Sequence, residues 1–358
     1  MGLRENITNP FSKWMDGNAP EADVVISSRV RLARNLASFP FPHQLSKEKA
    51  NEIIHALQLA INNKKTRAAV GPMELARLAE LTPVERQILV EKHLISPDLL
   101  KTREEETRAL VVSGDEIVSI MVNEEDHLRL QCLLPGLQLE EAARICALLD
   151  DALEQTLDYA FSEKLGYLTA CPTNVGTGMR VSVMVHLPGL VINGGIKELL
   201  AFIPKVGLTV RGLYGEGTEA AGNLFQISNQ VTLGRSEEEI VSGLGTVTEQ
   251  VIARERQARQ QLYRYRRDAL EDRVWRAYGT LRYARLLTGD ETMKLLSDVR
   301  LGVNLGFLKG PTPRLLNELI VLTRPAYITK MAGKDVPPAY RDSLRAKLVR
   351  EKLKDLPE

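Results

Sequence analysis

The chain has 358 residues, of which 44% are hydrophobic and 26% are charged, and its formal net charge is +1. This length predicts about two domains, and the proportions of hydrophobic and charged residues are typical of a globular protein with a sizeable core. The small net charge argues against a dedicated nucleic-acid binder, which normally has a strongly basic domain. The N-terminal segment has no apolar signal region and no stretch approaches a membrane span, so we expect a cytoplasmic protein without membrane contact.

The first predicted elements are a strand and a group of helices. Residues up to about 18 are polar and rich in turns, which predicts a loosely held arm. The β-branched run at 24–26, just before "SSRVRLARN", predicts a buried strand. From 46 to about 100 apolar residues recur at helical spacing, and Thr82 followed by Pro83 is typical of a helix start.

The middle of the chain alternates between strands and helices. Two β-rich runs flank "SGDE" at 113–116, which predicts a hairpin. An amphipathic helix is expected over 139–161, followed by strands around a Gly/Thr/Asn loop at 173–178 and a later glycine-rich loop. Residues 20 to about 235 therefore predict an α+β fold, in which an antiparallel sheet is flanked by helices.

From residue 236 onward the pattern is almost entirely helical, and Ser236 with Glu239 forms a capping box. We place a domain boundary near 240, with an α+β domain over 1–240 and a helical domain over 241–358. The helix expected over 254–285 interleaves arginines with aromatic residues. These could bind nucleic acid, but Tyr, Trp and Arg favour protein interfaces, so we expect a homodimer. The aromatic residues are Tyr263, Tyr265, Trp275, Tyr278 and Tyr283.

Arginines fall at predicted strand ends or in loops of the first domain. In an extended strand Arg29 and Arg31 share a face and repel each other unless an anion lies between them. Converging arginines would bind a triphosphate bidentately, with magnesium supplying further charge. Each arginine taken alone is more simply a surface charge, and the chain has neither a P-loop nor a GxGxxG motif. The set is Arg29, Arg31, Arg34, Arg129, Arg180 and Arg211.

Acidic residues and one cysteine accompany the arginines. Glu124, Glu125 and Asp126 are consecutive, and Glu216 lies in "YGEGTEA". Such carboxylates are usually solvated, but beside arginines they can orient a guanidinium and share its proton. Cys171 in "ACPTNVGTG" is either an inert hydrophobe or a thiolate that stabilises a cation. The cysteines have no C-x-x-C or zinc-ligand spacing, so we expect neither disulfides nor a structural metal.

Five blocks, in order, resemble the signatures of the phosphagen (guanidino) kinase family. They are "VISSRVRLARN", "VNEEDHLR", "CPTNVGTGMRVSV", "RGLYGEGTEAAG" and "FQISNQVTLG". The resemblance implies that the six arginines hold the phosphates of ATP, whose Mg²⁺ is carried mainly by the nucleotide. It also implies that Glu125 grips the acceptor guanidinium as the base and that Glu216 is its partner. Cys171 matches the thiol position of the family, and Asp126 completes the acidic run as a catalytic candidate.

Departures from the family indicate a protein acceptor. Members that act on small metabolites carry a larger N-terminal helical domain that closes over the substrate, and we expect none here. Met184 and Gln226 stand where many relatives have His and Asp, which alters the expected adenine and ribose contacts. With its helical C-terminal region the chain is most similar to bacterial protein-arginine kinases. That similarity implies transfer of the γ-phosphoryl group of MgATP to arginine side chains of proteins.

The same resemblance implies partners and a second site. Protein-arginine kinases act in the stress response with an activator protein and with Clp ATPase and protease machinery, which degrades the marked proteins. Their phosphoarginine-binding "RDxxRA" element stands here as "RDSLRA". An active site and a phosphoarginine site on one chain would permit allosteric coupling between them. Without the resemblance, we would interpret "RDSLRA" as a charged surface of a helix. The element comprises Arg341, Asp342, Arg345 and Ala346.

Two alternative functions stay open on the sequence. A kinase for free arginine would phosphorylate the amino acid as readily as a protein. A phosphoarginine-binding adaptor with little kinase activity would bind the modified residue without turning over ATP. The complete set of arginines and both glutamates argues against the adaptor.

Overall fold

The computed structural model describes residues 2–101, 104–212 and 220–357. Within these ranges the strands form a large sheet and a separate two-stranded ribbon. The strands are β1 (Val25–Arg34), β2 (Met73–Arg77), β3 (Ala109–Ser113), β4 (Val118–Val122), β5 (Leu128–Pro135), β6 (Phe161–Ser162), β7 (Gly166–Tyr167), β8 (Met179–His186), β9 (Leu208–Gly212) and β10 (Leu224–Asn229).

The large sheet has the order β2-β3-β4-β5-β1-β8-β10-β9, and its described pairs are antiparallel. β1 lies between β5 and β8, and the predicted hairpin at 113–116 joins β3 to β4. The predicted antiparallel sheet is therefore confirmed. The sequence does not predict β2, because "MELAR" consists largely of good helix formers and only its pairing with β3 makes it a strand.

The predicted helix starts are in place. Thr82 Oγ1 accepts a hydrogen bond from the Glu85 N–H at 3.3 Å, and Ser236 Oγ accepts one from the Glu239 N–H at 3.2 Å. The helices are α1 (Leu3–Thr8), α2 (Lys47–Ile61), α3 (Lys64–Val70), α4 (Pro83–Glu91), α5 (Leu139–Glu154), α6 (Pro188–Asn193), α7 (Ile196–Phe202), α8 (Glu237–Tyr265), α9 (Arg267–Tyr283), α10 (Gly289–Asn304), α11 (Pro313–Leu322), α12 (Pro325–Ala332) and α13 (Pro338–Leu353). The helix expected over 139–161 ends early because the chain then forms the β6–β7 ribbon.

The two faces of the sheet are covered differently. Alternation along β1 sends Val30 and Leu32 into a core with α2, α5 and α8, whereas Arg29 projects from the opposite face. On that opposite face a second core joins strand residues such as Met121 and Leu133 to the C-terminal helices. The part of this face that the helices leave open is a cavity, and the arginines lie in it.

The N-terminal arm is packed, so the prediction of a loosely held arm is wrong. Trp14 and Met15 are fully buried, and the Trp14 indole N–H donates to the Lys92 carbonyl at 3.0 Å. Asn317 of α11 donates to the Met15 carbonyl, also at 3.0 Å. The arm is thus held by both the sheet region and the C-terminal helices, and these are distant contacts that its local sequence cannot reveal.

The predicted domain boundary near 240 falls inside α8. This helix packs on the sheet through Ile240, Leu244 and Ile252. The chain changes direction at Arg266, between α8 and α9. The division at 240 therefore stays a prediction. In the three described ranges, no helix has both the length and the apolar character needed to cross a bilayer.

Candidate active site

A cavity of about 640 Å³ opens on the face of the sheet that carries the arginines. Its floor comes from β1, β4, β5, β8, β9 and β10, and its sides come from α4, the turn after α4 and the loop over 171–178. Most of the predicted phosphate-binding residues line it, although they are far apart in the sequence. These residues are Arg29, Arg31, Arg129, Arg180 and Arg211.

Antiparallel pairing sets these arginines side by side. Arg31 lies directly opposite Arg180 on β8, and Ala33 lies opposite Arg129 on β5. Side chains opposite each other in such a pair have Cβ atoms about 4.5–5.5 Å apart, so like charges there are destabilising. An anion bound between the arginines would remove this repulsion.

The electrostatics of the cavity favour a ligand with several negative charges. Burial lowers the pKa of Arg31 well below its ordinary value, and the charges of Arg29 and Arg129 lower it further. The pKa of Arg180 is also lowered, first by burial and then by Arg211 and Arg129. Within the described ranges, the buried Nε of Arg180 has no hydrogen-bond partner. A polyphosphate would pair with these groups and stabilise their charged forms.

Carboxylates hold one end of the arginine cluster. Arg129 donates through Nη1 to Glu124 at 2.6 Å and through Nη2 to Glu125 at 2.8 Å. Glu124 is buried and also accepts from Ser96 Oγ at 2.7 Å, so it is a fixed support. The Glu125 side chain is 43% exposed and lines the cavity, so it can reach a ligand.

Glu125 also lines an adjoining cavity of about 330 Å³. Glu104 and Glu124 also line it, with Glu104 ion-paired to Lys47 and Glu124 to Arg129, and Arg108 and His43 contribute to the same wall. The guanidinium of Arg108 is already engaged, because its Nη1 donates to two backbone carbonyls at 2.7 and 2.8 Å. The smaller cavity therefore favours a cation, whereas the larger one favours an anion, and Glu125 lies where they meet.

The loop that carries Cys171 forms one wall of the large cavity. Cys171 Sγ lies 3.0 Å from Thr173 Oγ1, and both residues line the cavity. Gly178 has a φ of +65°, and a Cβ atom at this position would lie 2.6 Å from the Ala33 carbonyl oxygen. Only glycine therefore allows the loop to lie this close to β1. The close approach places the Cys171 thiol beside the arginine cluster.

Asp126, a predicted catalytic residue, supports this loop from below the cavity. It is buried, and its Oδ1 accepts from the Ala170 N–H and from Asn35 Nδ2, each at 2.7 Å. It does not line the large cavity. Because Ala170 directly precedes Cys171, Asp126 ties the loop to the end of β1. These contacts favour a positioning role for Asp126, and its catalytic role stays a prediction.

Arg34 does not join the other predicted phosphate-binding arginines. It is an odd number of positions from Arg29 and Arg31, so the alternation of the strand turns it to the opposite face. Its side chain is 1% exposed, and it donates to Asp150 at 2.6 Å through Nη2 and to the Thr177 carbonyl at 2.9 Å through Nη1. Burial disfavours the charge, but Asp150 more than offsets this and raises the pKa of Arg34. These contacts favour a structural role for Arg34, and its phosphate-binding role stays a prediction.

Other lining residues carry no signal in the sequence. Glu91 of α4, His93 just after it and Arg324 of the C-terminal helices all face the cavity. Burial and the charges of Arg29 and Arg324 lower the pKa of His93 to about 3, so its ring is neutral at physiological pH. Distant packing brings these residues together, and no motif marks them. Glu216, the predicted partner carboxylate, lies outside the described residues.

The "RDSLRA" element lies at a separate cavity of about 300 Å³ among the C-terminal helices. Arg341, Asp342 and Arg345 line this cavity. Arg345 is buried, and it donates through Nε to the Thr323 carbonyl at 2.7 Å and through Nη1 to Asp342 Oδ1 at 2.5 Å. Ala346 is fully buried in the core instead, because the next position on the helix points away from the opening.

The fold and the arginine-lined cavity define a class of protein, and comparison with known proteins supports it. Residues 52–258 match a family model described as ATP:guanido phosphotransferase, C-terminal catalytic domain. A crystal structure of lombricine kinase has a TM-score of 0.57 at 23% identity, covering 69% of this chain and 71% of that one. The duplicated taurocyamine kinase from Schistosoma mansoni with bound transition-state-analogue components has a TM-score of 0.55 at 27% identity, covering 68% and 34% of the two chains. The class is that of the phosphagen kinases, which are phosphotransferase enzymes.

Relatives over the full length narrow the assignment. Residues 267–358 match a family model described as Protein-arginine kinase McsB C-terminal domain. The chain is 59% identical to a protein-arginine kinase of Pelotomaculum thermopropionicum over 100% of both chains. It is 56% identical to one of Desulforamulus reducens over 99% of both, and 49% identical to one of a Geobacillus species over 99% and 97%. The chain belongs to the protein-arginine kinase family, as the sequence motifs predicted.

Proposed function

We propose that this chain transfers the γ-phosphoryl group of MgATP to a guanidino nitrogen of arginine side chains in protein substrates. The observation that carries the proposal is the meeting, at Glu125, of two cavities with opposite charge preference. The arginine-lined cavity suits a polyphosphate and the carboxylate-lined cavity suits a guanidinium. Transfer between the two ligands would occur where the cavities meet. The names of the full-length relatives support the same acceptor.

The nucleotide side follows from the arginine cluster. Guanidinium groups bind phosphate oxygens bidentately and keep their charge, and MgATP brings a cation that adds to theirs. Burial and then repulsion between the arginines lower the pKa values of Arg31 and Arg180, and binding of a polyphosphate would relieve the repulsion. There is no protein nucleophile in this proposal, so the arginines act by orienting the γ-phosphoryl group and by stabilising charge in the transition state.

On the acceptor side Glu125 would hold the guanidinium and take its proton. A guanidino nitrogen attacks the γ-phosphorus while the bond from that phosphorus to the bridging oxygen breaks. ADP leaves with the electron pair, and the proton of the attacking nitrogen passes to Glu125. The family resemblance supports Glu216 as the second carboxylate on the guanidinium and Cys171 as a stabiliser of its charge. The same arrangement would catalyse the reverse reaction with ADP.

Replacement of Glu125 tests this proposal. We expect Glu125→Gln to reduce phosphorylation of an unfolded, arginine-containing protein by about 10²–10⁴-fold, the usual contribution of a positioned acid–base group. The product is measured by mass spectrometry at neutral pH, because phosphoramidates hydrolyse in acid. Glu106→Gln is the matched control, since Glu106 is an exposed carboxylate that lines neither cavity. Intact phosphorylation by Glu125→Gln at saturating MgATP would contradict the proposal.

The nature of the acceptor is tested by offering free arginine beside the protein. Phosphate on protein arginines alone supports a protein-arginine kinase. Comparable turnover of free arginine would favour a kinase for the amino acid. Binding of phosphoarginine without any phosphoryl transfer would favour the adaptor.

A second candidate function is phosphoarginine binding at the cavity of Arg341, Asp342 and Arg345. Two guanidinium groups beside one carboxylate complement a ligand that has a phosphoryl group at one end and a cationic nitrogen group nearby. Binding there could control the active site on the same chain allosterically. Titration with phosphoarginine, with free arginine as the control ligand, tests this function.

The cellular context is proposed from the family resemblance. Modified proteins would pass to Clp ATPase and protease machinery during the bacterial stress response, with an activator protein taking part in the cytoplasm. Exposed aromatic side chains at α8 and α9 support a homodimer, because Tyr265 is 73% exposed and Tyr283 is 67% exposed.

A further inference from the structure

Arg324, an arginine of the C-terminal helices, lines two cavities. It directly precedes α12 and contributes both to the large cavity that contains Arg29 and to the smaller cavity beside Arg345. The other arginines of the large cavity project from strands of the sheet. The match to the guanido phosphotransferase domain ends at residue 258, so Arg324 lies outside the region that this comparison covers.

Glu91, the last residue of α4, fixes the start of α12. Its Oε1 accepts a hydrogen bond from the Ala326 N–H at 3.1 Å, and its buried side chain lines the same large cavity. Pro325 has no N–H, so Ala326 is the first residue of the helix that can donate. A carboxylate at this end of a helix is stabilised by the helix dipole. The contact therefore sets the position of Arg324, the residue before the helix.

The guanidinium of Arg324 acts at the end of the cavity where Arg29 lies. The charges of Arg29 and Arg324 both act on His93 and, together with burial, lower its pKa. Ala33, near the end of β1, lies opposite Arg129 of β5, and Arg129 is ion-paired with Glu125. Arg29 lies nearer the start of β1 and is therefore farther from Glu125 along the strand. Arg324 therefore belongs to the end of the arginine cluster that is far from Glu125, where phosphoryl transfer is proposed to occur.

We propose that Arg324 is a further phosphate-binding residue of the nucleotide cavity, supplied by the C-terminal helices, and that Glu91 is its positioning residue. The inference rests on the proposed function, because it requires a nucleotide in the large cavity. With the γ-phosphoryl group at Glu125, Arg324 binds the phosphates closer to the nucleoside. Its loss removes binding that is equal in the ground state and the transition state, so the KM for MgATP rises while kcat stays nearly unchanged.

Binding of MgADP to the full chain measures this contribution without turnover. A hydrogen bond to a charged group is strong enough that we expect Arg324→Gln to weaken MgADP binding by roughly tenfold or more. Arg324→Lys should weaken it less because the charge is kept, and Glu91→Ala should weaken it because the hydrogen bond to the Ala326 N–H that positions Arg324 is lost. Arg276→Gln is the matched control. It removes a 78% exposed arginine of α9 and should bind MgADP as the wild type does.

The outcomes separate this inference from the proposed function. If the wild type binds no MgADP, the proposed function fails. If the wild type and Arg324→Gln bind MgADP equally, or if kcat falls while the KM for MgATP is unchanged, the role of Arg324 is overturned.

If Arg324→Gln fails to fold, the role of Arg324 is tested on the wild-type protein instead. Its arginines are labelled with a dicarbonyl reagent with and without MgADP, and the labelled positions are mapped by mass spectrometry. Protection of Arg324 by MgADP supports the inference, whereas labelling that MgADP leaves unchanged overturns it.

Discussion

Single residues in this protein take their roles from the face on which their element places them. Arg31 and Arg34 belong to the same strand and have the same side chain. Burial and the surrounding like charges lower the pKa of Arg31, whereas Asp150 outweighs burial at Arg34 and raises its pKa. A guanidinium that the protein itself neutralises is structural, and one surrounded by cations is suited to an anionic ligand. The difference follows from an odd spacing along the strand.

Glu91 makes the stability of the folded protein depend on pH. Burial raises its pKa from 4.5 to about 7, although the Ala326 N–H and the charges of Arg324 and Arg345 oppose the shift. The folded state therefore binds the proton more tightly than the unfolded chain does. Its stabilising contribution is complete below about pH 4.5 and is lost as the pH rises to about 7.

We expect the ionisation of Glu91 to lower the free energy of unfolding by about 3 kcal/mol across that range. Glu91→Gln has no ionisable group at this position and should lose this part of the pH dependence. Urea unfolding of both proteins at about pH 5 and about pH 8 measures the effect. If the two proteins showed the same change in unfolding free energy, another group would be responsible.

Among the elements, the loop over 171–178 is held by contacts on the face of the sheet opposite the cavity. Arg34 of β1 stacks on the ring of Tyr167 at 3.5 Å, pairs with Asp150 of α5 and donates to the Thr177 carbonyl within the loop. Asp126 fixes the start of the same loop through the Ala170 N–H. These two supports determine where the Cys171 side of the cavity lies, although neither support faces a ligand.

Replacement of Arg34 distinguishes this supporting role from phosphate binding. Arg34→Met leaves the buried Asp150 without its partner, and breaking such a pair costs about 3–5 kcal/mol. The double variant Arg34→Met with Asp150→Leu should recover part of that stability, since it no longer leaves Asp150 as a buried, unpaired charge. Urea unfolding measures the stabilities, and MgADP titration of the folded double variant should show a small loss of affinity from the missing loop support rather than the large loss expected of a direct phosphate contact. Normal stability together with lost MgADP binding would support the phosphate-binding role.

The sequence predicts the elements that short-range rules control. The helix starts at Thr82 and Ser236 follow from hydrogen bonds within one turn, and the hairpin at 113–116 follows from two adjacent β-rich runs. β2 is missed because its pairing with β3 overrides a helix-forming sequence. The N-terminal arm is misjudged because its anchors, such as Asn317, lie far away along the chain.

The residues of the candidate site also fall into those that the sequence predicts and those that it does not. Arg29, Arg31 and Arg129 could be predicted because motifs and strand alternation mark them, and the structure places them in one cavity. Asp126 belongs to a motif, yet its place beneath the loop depends on contacts that the motif does not encode. Arg324 carries no local signal, since it reaches the cavity only through the packing of α12 against α4.

In the whole molecule, the C-terminal region contributes Arg324 to the wall of the large cavity and packs against the sheet beside it. The core on the cavity side of the sheet includes Leu133 of β5, Trp14 of the arm, Val274 of α9 and Leu316 of α11. Because these side chains form one cluster, neither part of the chain can unfold without exposing apolar surface of the other. The position of Arg324 over the sheet therefore depends on the same contacts that stabilise the fold.

We expect the two parts of the chain to unfold together. The sequence contains two tryptophans, and Trp14 packs against His93 at 5.4 Å while Trp275 on α9 packs against Tyr278 at 6.1 Å. Trp275→Phe leaves a fluorescent probe in the arm, and Trp14→Phe leaves one in the C-terminal helices. Chains of this size with more than one domain often unfold in separate steps, so coincident urea midpoints are a specific consequence of the shared core. Each variant is compared with the wild type by circular dichroism, which corrects for any effect of the substitution itself. Separate midpoints would show that the C-terminal helices can detach from a folded sheet, and Arg324 would then leave the cavity without global unfolding.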